Sequence, residues 1–201
     1  GEFYTPHEVS LLMSEIVADH LQGRSEIKIY DPTSGSGSLL INIGKTAWKY
    51  MDDANRIRYY AQELKANTYN LTRMNLVMRG ILPDNILTRN GDTLEEDWPY
   101  FDESDPQGTY VDAVVSNPPY SQRWMPNGKE NDARYARYGL APKSKADYAF
   151  LLHDLYHLKP DGIMTIVLPH GVLFRGGEEG AIRKNLIEQN NIDAIIGLPA
   201  N

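Results

Sequence analysis

The 201-residue sequence contains no cysteine. Within these residues, this absence excludes a disulfide framework, a zinc site built on thiolates and a cysteine nucleophile. Long apolar runs are also missing, because residues 163–168 and 194–198 fall far short of the roughly 20 residues that span a bilayer. No segment near Gly1 has the pattern of a signal peptide. We therefore expect a cytoplasmic protein with no membrane partner.

Basic residues are scarce: 20 Lys and Arg stand against 27 Asp and Glu, which gives a formal net charge of −7. This acidity disfavours binding to a polyanion, because non-specific affinity for nucleic acid comes largely from cations that neutralise phosphates. The charge is uneven, however. Residues 92–112 hold eight acidic and no basic residues, whereas residues 121–146 hold six basic and two acidic ones. We therefore expect an acidic body with one basic surface.

Segments with a helical repeat of apolar residues alternate with short apolar segments along the chain. The predicted helices span residues 6–21, 38–50, 66–78, 148–158 and 178–188. The predicted strands span residues 27–30, 58–62, 85–88, 111–116, 163–168 and 192–197. This alternation indicates a single α/β domain with a mostly parallel twisted sheet and helices on both faces. Such folds bind ligands at the carboxyl ends of their strands.

The first predicted strand runs into the loop Asp31-Pro32-Thr33-Ser34-Gly35-Ser36-Gly37-Ser38. Gly35 and Gly37 let the backbone approach a ligand closely, and the helix that follows presents free N–H groups. A dinucleotide fingerprint needs a third glycine where Leu40 stands, and no phosphate-loop Lys-Ser/Thr follows. The loop therefore predicts a nucleoside site. The Asp31 carboxylate suits an amino group or a hydroxyl better than a pyrophosphate.

Acidic residues also follow the next two predicted strands. Glu63 lies just past the second strand, where a carboxylate can accept hydrogen bonds from both ribose hydroxyls. Asp92 follows the third strand and can accept a hydrogen bond from the exocyclic amine of an adenine. A lone carboxylate is usually an ordinary solvated side chain. Three of them at successive strand ends, with Asp31 as the first, favour one shared site.

The loop after the fourth predicted strand reads Ser116-Asn117-Pro118-Pro119-Tyr120. The two prolines fix an extended backbone and remove two N–H donors, which leaves a rigid turn. The side-chain carbonyl of Asn117 and the backbone carbonyl of Pro118 are two acceptors for one NH₂ group, and they make a planar amine a usable nucleophile. Tyr120 offers a face on which an extruded base can stack. The predicted catalytic residues are Asn117, Pro118, Pro119 and Tyr120.

Together these motifs resemble those of amino-methyltransferases that use S-adenosylmethionine. The chain is similar in particular to the modification (M) subunit of type I restriction-modification systems, which methylates adenine N6 in DNA. The similarity covers essentially the whole chain, and Phe3-Tyr4-Thr5-Pro6 is its most discriminating piece. One departure is Thr33-Ser34, where the family more often has small residues such as alanine. The resemblance implies a Rossmann-like class I methyltransferase fold, truncated at the C-terminal end and without the helical region that precedes it in M subunits.

The resemblance also assigns roles to the motifs. The implied mechanism is direct in-line transfer of the sulfonium methyl to a flipped adenine, with positioning as the main contribution. The lack of cysteine excludes C5 methylation of cytosine, which needs a covalent thiolate. The implied partners are DNA, a specificity subunit and a second M subunit, and the sequence leaves open whether a restriction subunit accompanies them. The implied cofactor-binding residues are Phe3, Tyr4, Thr5, Pro6, Asp31, Ser34, Gly35, Ser36, Gly37, Glu63, Asp92 and Asn117.

The basic segment directly follows the fourth-strand motif. A charge run is usually a solvated loop. Its position directly after the motif favours a basic surface that contacts DNA locally, while partner subunits supply most of the affinity for DNA. The predicted DNA-contacting residues are Arg123, Trp124, Arg134, Arg137, Lys143 and Lys145.

Two further features are less informative. His153 and His157 stand four residues apart on a predicted helix, but no Glu follows His153 and the sequence shows no third ligand, so we predict no metal. Residues 171–180, with Arg175 and Gly176-Gly177, predict a mobile loop near the strand ends whose role stays open. Four large side chains on predicted helices are expected in the core: Trp48, Tyr50, Met74 and Met78.

Two other functions fit the same motifs. A methyltransferase that acts on protein glutamine or on RNA shares Asn-Pro-Pro-Tyr but is not expected to need Phe3-Tyr4-Thr5-Pro6, and labelled methyl transfer to DNA or to protein separates the two. The second alternative is a non-enzymatic nucleoside-binding module, which gives Asn117 and Tyr120 no purpose. Cofactor binding without transfer to any acceptor by the complete assembly would favour it.

Overall fold

The computed structural model describes residues 4–100 and 110–200. The strands are β1 (Ile27–Asp31), β2 (Ile57–Glu63), β3 (Ile86–Asn90), β4 (Val111–Ser116) and β5 (Leu158–Ile166). The helices are α1 (His7–His20), α2 (Ser38–Trp48), α3 (Ala66–Met78), α4 (Asp147–Tyr156) and α5 (Gly177–Glu188). Short 3₁₀ turns lie at Ala54–Arg56, Pro83–Asn85 and His170–Leu173. None of the helices in these residues is long and apolar enough to cross a membrane.

The five strands form one sheet in the order β3-β2-β1-β4-β5, and every neighbouring pair is parallel. The chain starts in the middle of the sheet, moves outward through β2 and β3, and then returns to the other side of β1. The winding direction therefore reverses between β1 and β4, and a crevice opens there beyond the carboxyl ends of the strands. The predicted Rossmann-like parallel sheet is confirmed.

Both faces of the sheet are buried, because successive strand residues point to opposite sides. Ile29 and Tyr59 lie in the cluster formed with α1, α2 and α3. Tyr30 and Val114 lie on the opposite face, where the Tyr30 hydroxyl reaches His153 of α4 at 2.9 Å. Each fully buried large apolar side chain contributes about 1.5–3 kcal/mol. The predicted arrangement of helices on both faces is confirmed.

Most predicted boundaries lie within two residues of the observed ones, and those of α3 and β4 coincide with them. The exception is β5, which begins at Leu158 rather than at residue 163. Its early part contains Pro160 and Gly162, residues that disfavour a regular strand. The pairing accommodates them through a register shift between Val111 and Ala113 of β4.

The prediction of a sixth strand at residues 192–197 is wrong. These residues form neither helix nor strand, and Ile195 and Ile196 are exposed. A strand needs a neighbour that satisfies its N–H and C=O groups. Within the described part of the chain, β5 is the last strand on that side of the sheet. The apolar pattern of the segment therefore has no strand to pair with there.

The expectation that four large side chains on α3 and near the end of α2 lie in the core is also wrong. Trp48 is 59% exposed and Met78 is 75% exposed. Trp48 and Met78 are the last residues of their helices, whose inner faces are filled by residues such as Leu40 and Leu76, which are fully buried. Helical spacing alone does not distinguish the two faces when both carry apolar residues. The other two exposed residues are Tyr50 and Met74.

Candidate active site

A cavity of about 830 Å³ lies at the carboxyl ends of the strands. Its volume is in the range of pockets that enclose a nucleoside-sized ligand. The predicted residues that line it are Tyr4, Thr5, Asp31, Ser34, Gly35, Ser36, Glu63, Asp92, Asn117, Pro118 and Pro119. Pro6, Gly37 and Tyr120 belong to the surrounding segments rather than to the lining. Phe3 lies outside the described residues.

The glycine loop has a backbone that suits glycine. Gly35 and Gly37 have φ angles of +54° and +80°, in the left-handed region that strains other residues. A side chain at Gly37 would also contact Thr72 of α3. The Thr72 hydroxyl donates to the carbonyl of Gly35 at 2.5 Å, and Asn75 Nδ2 donates to the carbonyl of Ser36 at 2.8 Å. Helix α3 therefore fixes the loop, a role that no sequence motif indicated.

The three acidic residues do come together at the cavity. Glu63 Oε2 accepts a hydrogen bond from the N–H of Gly35 at 2.9 Å, which ties the end of β2 to the glycine loop. Asp92 Oδ1 accepts from the N–H of Leu94 at 3.0 Å. Each carboxylate oxygen has a second lone pair, so these contacts leave acceptor capacity for a ligand.

Asp31 is the most deeply buried of the three, with 2% of its surface exposed. Burial raises its pKa to about 7, the N–H of Thr33 lowers it, and the nearby Glu63 carboxylate raises it further. Near neutral pH this carboxyl group is therefore partly protonated. A cationic group of a ligand beside it would stabilise the ionised form.

The loop after β4 is held by contacts of Asn117. Its Nδ2 donates to the Thr5 hydroxyl at 3.0 Å, which joins the first motif of the chain to this loop. Its Oδ1 accepts from the Tyr120 hydroxyl at 2.7 Å. Burial and the Asp147 carboxylate raise the pKa of Tyr120, so its hydroxyl stays protonated and can donate. The amide oxygen is thereby oriented before any substrate amine arrives.

The turn that follows Tyr120 is anchored by a buried carboxylate. Ser121 has a φ of +52°, which is unfavourable for a residue with a side chain. Its N–H donates to Asp147 Oδ1 at 2.7 Å, and the second oxygen of Asp147 accepts from Arg175 Nη2 at 2.8 Å. On the other side of the motif, the Ser116 hydroxyl donates to buried Asp154. Both anchors come from α4 and were missed in the sequence.

A buried polar network runs beneath the site. Arg134 Nη1 donates to the carbonyl of Thr93 at 2.9 Å and to His153 Nδ1 at 3.1 Å, and Nη2 donates to the carbonyl of Leu94 at 3.3 Å. Because a guanidinium has only donors, His153 Nδ1 must accept and its proton lies on Nε2, which donates to the Tyr30 hydroxyl. Burial, His157 and Arg134 lower the pKa of His153 well below its usual value, which keeps the ring neutral.

Asp97, His153 and His157 form a cluster whose candidate metal-ligating atoms lie within 4.8 Å of one another. The sequence did not indicate Asp97 as a third ligand because it lies far from His153 and His157 along the chain. His157 Nε2 already contacts Asp97 Oδ1 at 2.7 Å. His153 Nδ1 faces the guanidinium of Arg134, so a metal ion there would displace this contact and lie beside a fixed positive charge. The cluster fits a hydrogen-bonded network better than a metal centre.

Two of the predicted DNA-contacting residues are buried. Arg134 is 3% exposed and belongs to the network beneath the site. Trp124 is 5% exposed, packs edge-on against Tyr135 and donates from Nε1 to the carbonyl of Pro142. The prediction that these two side chains contact DNA is therefore corrected. The segment builds its own small core, which neither its charge nor its aromatic content indicated.

The remaining basic residues of the segment lie at the surface. Arg123, Arg137 and Lys143 are exposed, and Lys145 is half-buried. The N–H of Trp124 donates to the carbonyl of Lys143 at 3.1 Å, so the backbones on either side of this bond run next to each other. Arg123 and Lys143 therefore lie on adjacent backbone segments near the turn that follows Tyr120. We refer to these two residues and Lys145 as the basic patch.

Comparisons with known proteins agree with this geometry. Residues 1–201 match the model of the N-6 DNA methylase family. The chain is 42% identical to the methylase subunit of the type I restriction enzyme MpnII of Mycoplasma pneumoniae, covering 100% of this chain and 37% of that protein. It is 32% identical to the MjaIX methylase subunit of Methanocaldococcus jannaschii, covering 99% of this chain and 34% of that protein.

Solved structures give the same result. A type I restriction-modification system methyltransferase subunit from Streptococcus thermophilus is 50% identical, with a TM-score of 0.88 over 100% of this chain and 41% of that one. An S-adenosylmethionine-dependent O-methyltransferase from Thermotoga maritima shares the fold alone, at 16% identity and a TM-score of 0.53 over 94% of this chain and 51% of that one. The chain thus spans about two fifths of its similar relatives, and it belongs to the N-6 DNA methylase family.

Proposed function

We propose that the chain is the catalytic domain of a type I restriction-modification methylase subunit, which transfers a methyl group from S-adenosylmethionine to N6 of an adenine in DNA. The hydrogen-bonded link from Thr5 through Asn117 to Tyr120 at the mouth of the cavity carries the proposal. It brings a nucleoside-sized cavity and a site for a planar amine together.

The residues of the cavity suit S-adenosylmethionine. This cofactor supplies a methyl group on a sulfonium, and it also carries an ammonium, two ribose hydroxyls and an adenine amine. Asp31 is suited to the ammonium, because a buried carboxyl with a raised pKa is stabilised as an anion by an adjacent cation. Glu63 is suited to the ribose hydroxyls and Asp92 to the adenine amine. The backbone of Gly35 leaves room for the ligand.

The loop after β4 is suited to the target adenine. Asn117 Oδ1 and the carbonyl of Pro118 are two acceptors that can bind the two hydrogens of N6. The Tyr120 hydroxyl leaves Oδ1 when the amine binds, and its ring stays available for stacking. Since Thr5 holds the other end of the Asn117 amide, the acceptor keeps its orientation. The chain therefore acts mainly by positioning the amine for in-line attack.

DNA and partner subunits complete the proposal. The net charge of −7 is unfavourable for tight binding to DNA by this domain alone. The basic patch gives a local contact with phosphates, and a specificity subunit, a second methylase subunit and a restriction subunit would supply the remaining contacts and the sequence readout. Such an assembly acts on chromosomal DNA, so we place it in the cytoplasm.

The test is methyl transfer from labelled S-adenosylmethionine by the full-length protein, with and without its specificity subunit. We expect label in adenine N6 of DNA that carries the recognition sequence, and only in the presence of the specificity subunit. Label in a protein glutamine or in RNA instead of DNA would contradict the proposed substrate. Cofactor binding without transfer to any acceptor would contradict the proposed reaction.

A further inference from the structure

The loop between β5 and α5 exposes two apolar side chains next to the candidate active site. Phe174 is 69% exposed and Leu173 is 40% exposed. The motifs of the proposed function leave this loop without a role. Because large apolar side chains are costly to leave in water, an exposed aromatic ring beside a site is a candidate contact for a ligand or partner.

Hydrogen bonds of neighbouring residues tie down the chain on both sides of Phe174. The adjacent Arg175 donates from Nη2 to Asp147 at 2.8 Å and from Nε to Glu179 at 3.0 Å. Two residues before Phe174, the carbonyl of Val172 accepts from the Tyr148 hydroxyl at 2.6 Å. The ring of Phe174 therefore projects from a fixed support.

The support places Phe174 beside the segment that would bind the target base. The N–H of Val167 donates to the carbonyl of Ser116 at 3.0 Å, so the chain leaves β5 alongside the loop that begins with Asn117. Asp147 binds both the N–H of Ser121 and the side chain of Arg175. The buried Asp147 carboxylate thus contacts Ser121, the residue after Tyr120, and Arg175, the residue after Phe174.

The surroundings match the chemistry of a DNA duplex. The basic patch is close to Asp147 along the chain, because Lys145 is two residues before it and Arg123 is two residues after Ser121, whose N–H binds Asp147. The ring of Phe174 is braced edge-on by His170, with ring centroids 5.7 Å apart. Basic residues suited to phosphates and a supported aromatic ring therefore both lie close along the chain to residues that bind Asp147, the carboxylate that anchors the base-binding loop.

We propose that Phe174 is an aromatic wedge that stacks within the DNA duplex beside the extruded adenine. This inference rests on the proposed function. Extrusion of a base costs a few kcal/mol of pairing and stacking, and proteins that distort DNA often insert an apolar side chain between base steps. A base that stacks on an aromatic side chain recovers about 1–3 kcal/mol, which corresponds to a rate effect of about 5- to 150-fold.

The experiment uses the full-length methylase assembled with its specificity subunit and two DNA duplexes. In one duplex the target adenine is paired with thymine, and in the other it faces an abasic site, so that no base pair has to be broken. We expect Phe174→Ala to slow methyl transfer to the paired duplex by about 10-fold or more and to the abasic-site duplex by less than about threefold. Phe174→Trp should retain activity on both.

Trp48→Ala is the matched control, because Trp48 is also an exposed aromatic residue but lies at the far end of α2. It should change neither rate. An equal loss on both duplexes, or no loss on either, would overturn the wedge while transfer by the unmodified protein upholds the proposed function. A lower melting temperature or lost assembly in Phe174→Ala would show that protein covers the ring, which also overturns it. Absence of transfer by the unmodified protein would refute the proposed function itself.

Discussion

The Tyr120 hydroxyl donates a 2.7 Å hydrogen bond to the side-chain carbonyl of Asn117. This carbonyl is the acceptor that we assign to the target amine. The free protein thus satisfies it with an internal donor that a substrate can replace. An acceptor oriented in advance lowers the reorganisation needed during the reaction, which is a general feature of efficient active sites.

Replacement of Asn117 by alanine should abolish methyl transfer and change the affinity for S-adenosylmethionine by no more than about tenfold, because the removed amide acts mainly on the target amine. Calorimetric cofactor binding and labelled transfer to DNA measure the two effects. Tyr120→Phe is the matched control. It removes the hydroxyl but keeps the stacking ring, and it should retain most activity because Thr5 still holds the Asn117 amide. Normal turnover by Asn117→Ala would refute the assigned role.

The raised pKa of Asp31 predicts a pH dependence of cofactor binding. A cationic ligand group beside Asp31 favours its ionised form. In the free protein Asp31 ionises only as the pH rises through its raised pKa of about 7. Affinity for S-adenosylmethionine should therefore fall as the pH drops below about 7 and level off above it. Calorimetry over a range of about three pH units centred on that pKa measures the effect. A pH-independent affinity would count against contact with Asp31.

The raised pKa of Asp31 also contributes to the pH dependence of the stability of the free protein. The variant Asp31→Asn tests this contribution. The folded-state pKa of about 7 lies above the usual value of 3.8, so the folded state holds its proton more tightly. The stabilising contribution is fully present at low pH and is lost as the pH rises through about 7. Asn carries no such charge, so Asp31→Asn should melt at a higher temperature than the unmodified protein above pH 7. It should also bind the cofactor weakly and without this pH dependence.

The sequence predicted four of the five strands within two residues but not the β5 side of the sheet. β1, β2 and β4 follow from their apolar runs because they are buried on both faces, where composition alone determines the strand. The predicted strand at residues 192–197 failed because its formation depends on a neighbour and not on its own pattern. A strand forms only when a second segment pairs with it, and the residues of one segment do not show whether such a partner is present.

The candidate site shows the same division. Asp31, Glu63 and Asp92 could be assigned because strand ends of a parallel sheet converge whatever the details of packing. Asp147 and Arg134 could not be assigned correctly, because their roles depend on contacts across 26 and 41 residues of chain. From the sequence alone, a basic residue in a basic segment is expected to lie at the surface and to contact DNA. Only the fold shows that one of these arginines binds buried carbonyls.

That distinction predicts opposite phenotypes for two arginines of one segment. Arg134→Met removes a buried guanidinium and leaves the carbonyls of Thr93 and Leu94 unpaired, which should cost about 3–5 kcal/mol of stability. Because Thr93 and Leu94 directly follow Asp92 in the chain, the KM of the Arg134→Met variant for S-adenosylmethionine should rise as well. Arg137→Met at an exposed position should leave both unchanged. Melting curves and the KM of the two variants measure these effects. Equal stability of the two variants would contradict a structural role of the hydrogen bonds of Arg134.

The basic patch predicts a change in the salt dependence of DNA binding. Each phosphate contact contributes about −0.9 to the slope of log affinity against log salt concentration. Replacement of Arg123 and Lys143 by alanine in the assembled enzyme should therefore make the slope shallower by roughly 1.8 and weaken specific and non-specific DNA alike. The control is Lys49→Ala, an exposed lysine at the end of α2, which should leave the slope unchanged. If only the recognised sequence lost affinity, these residues would be reading bases, because phosphate contacts carry no sequence information.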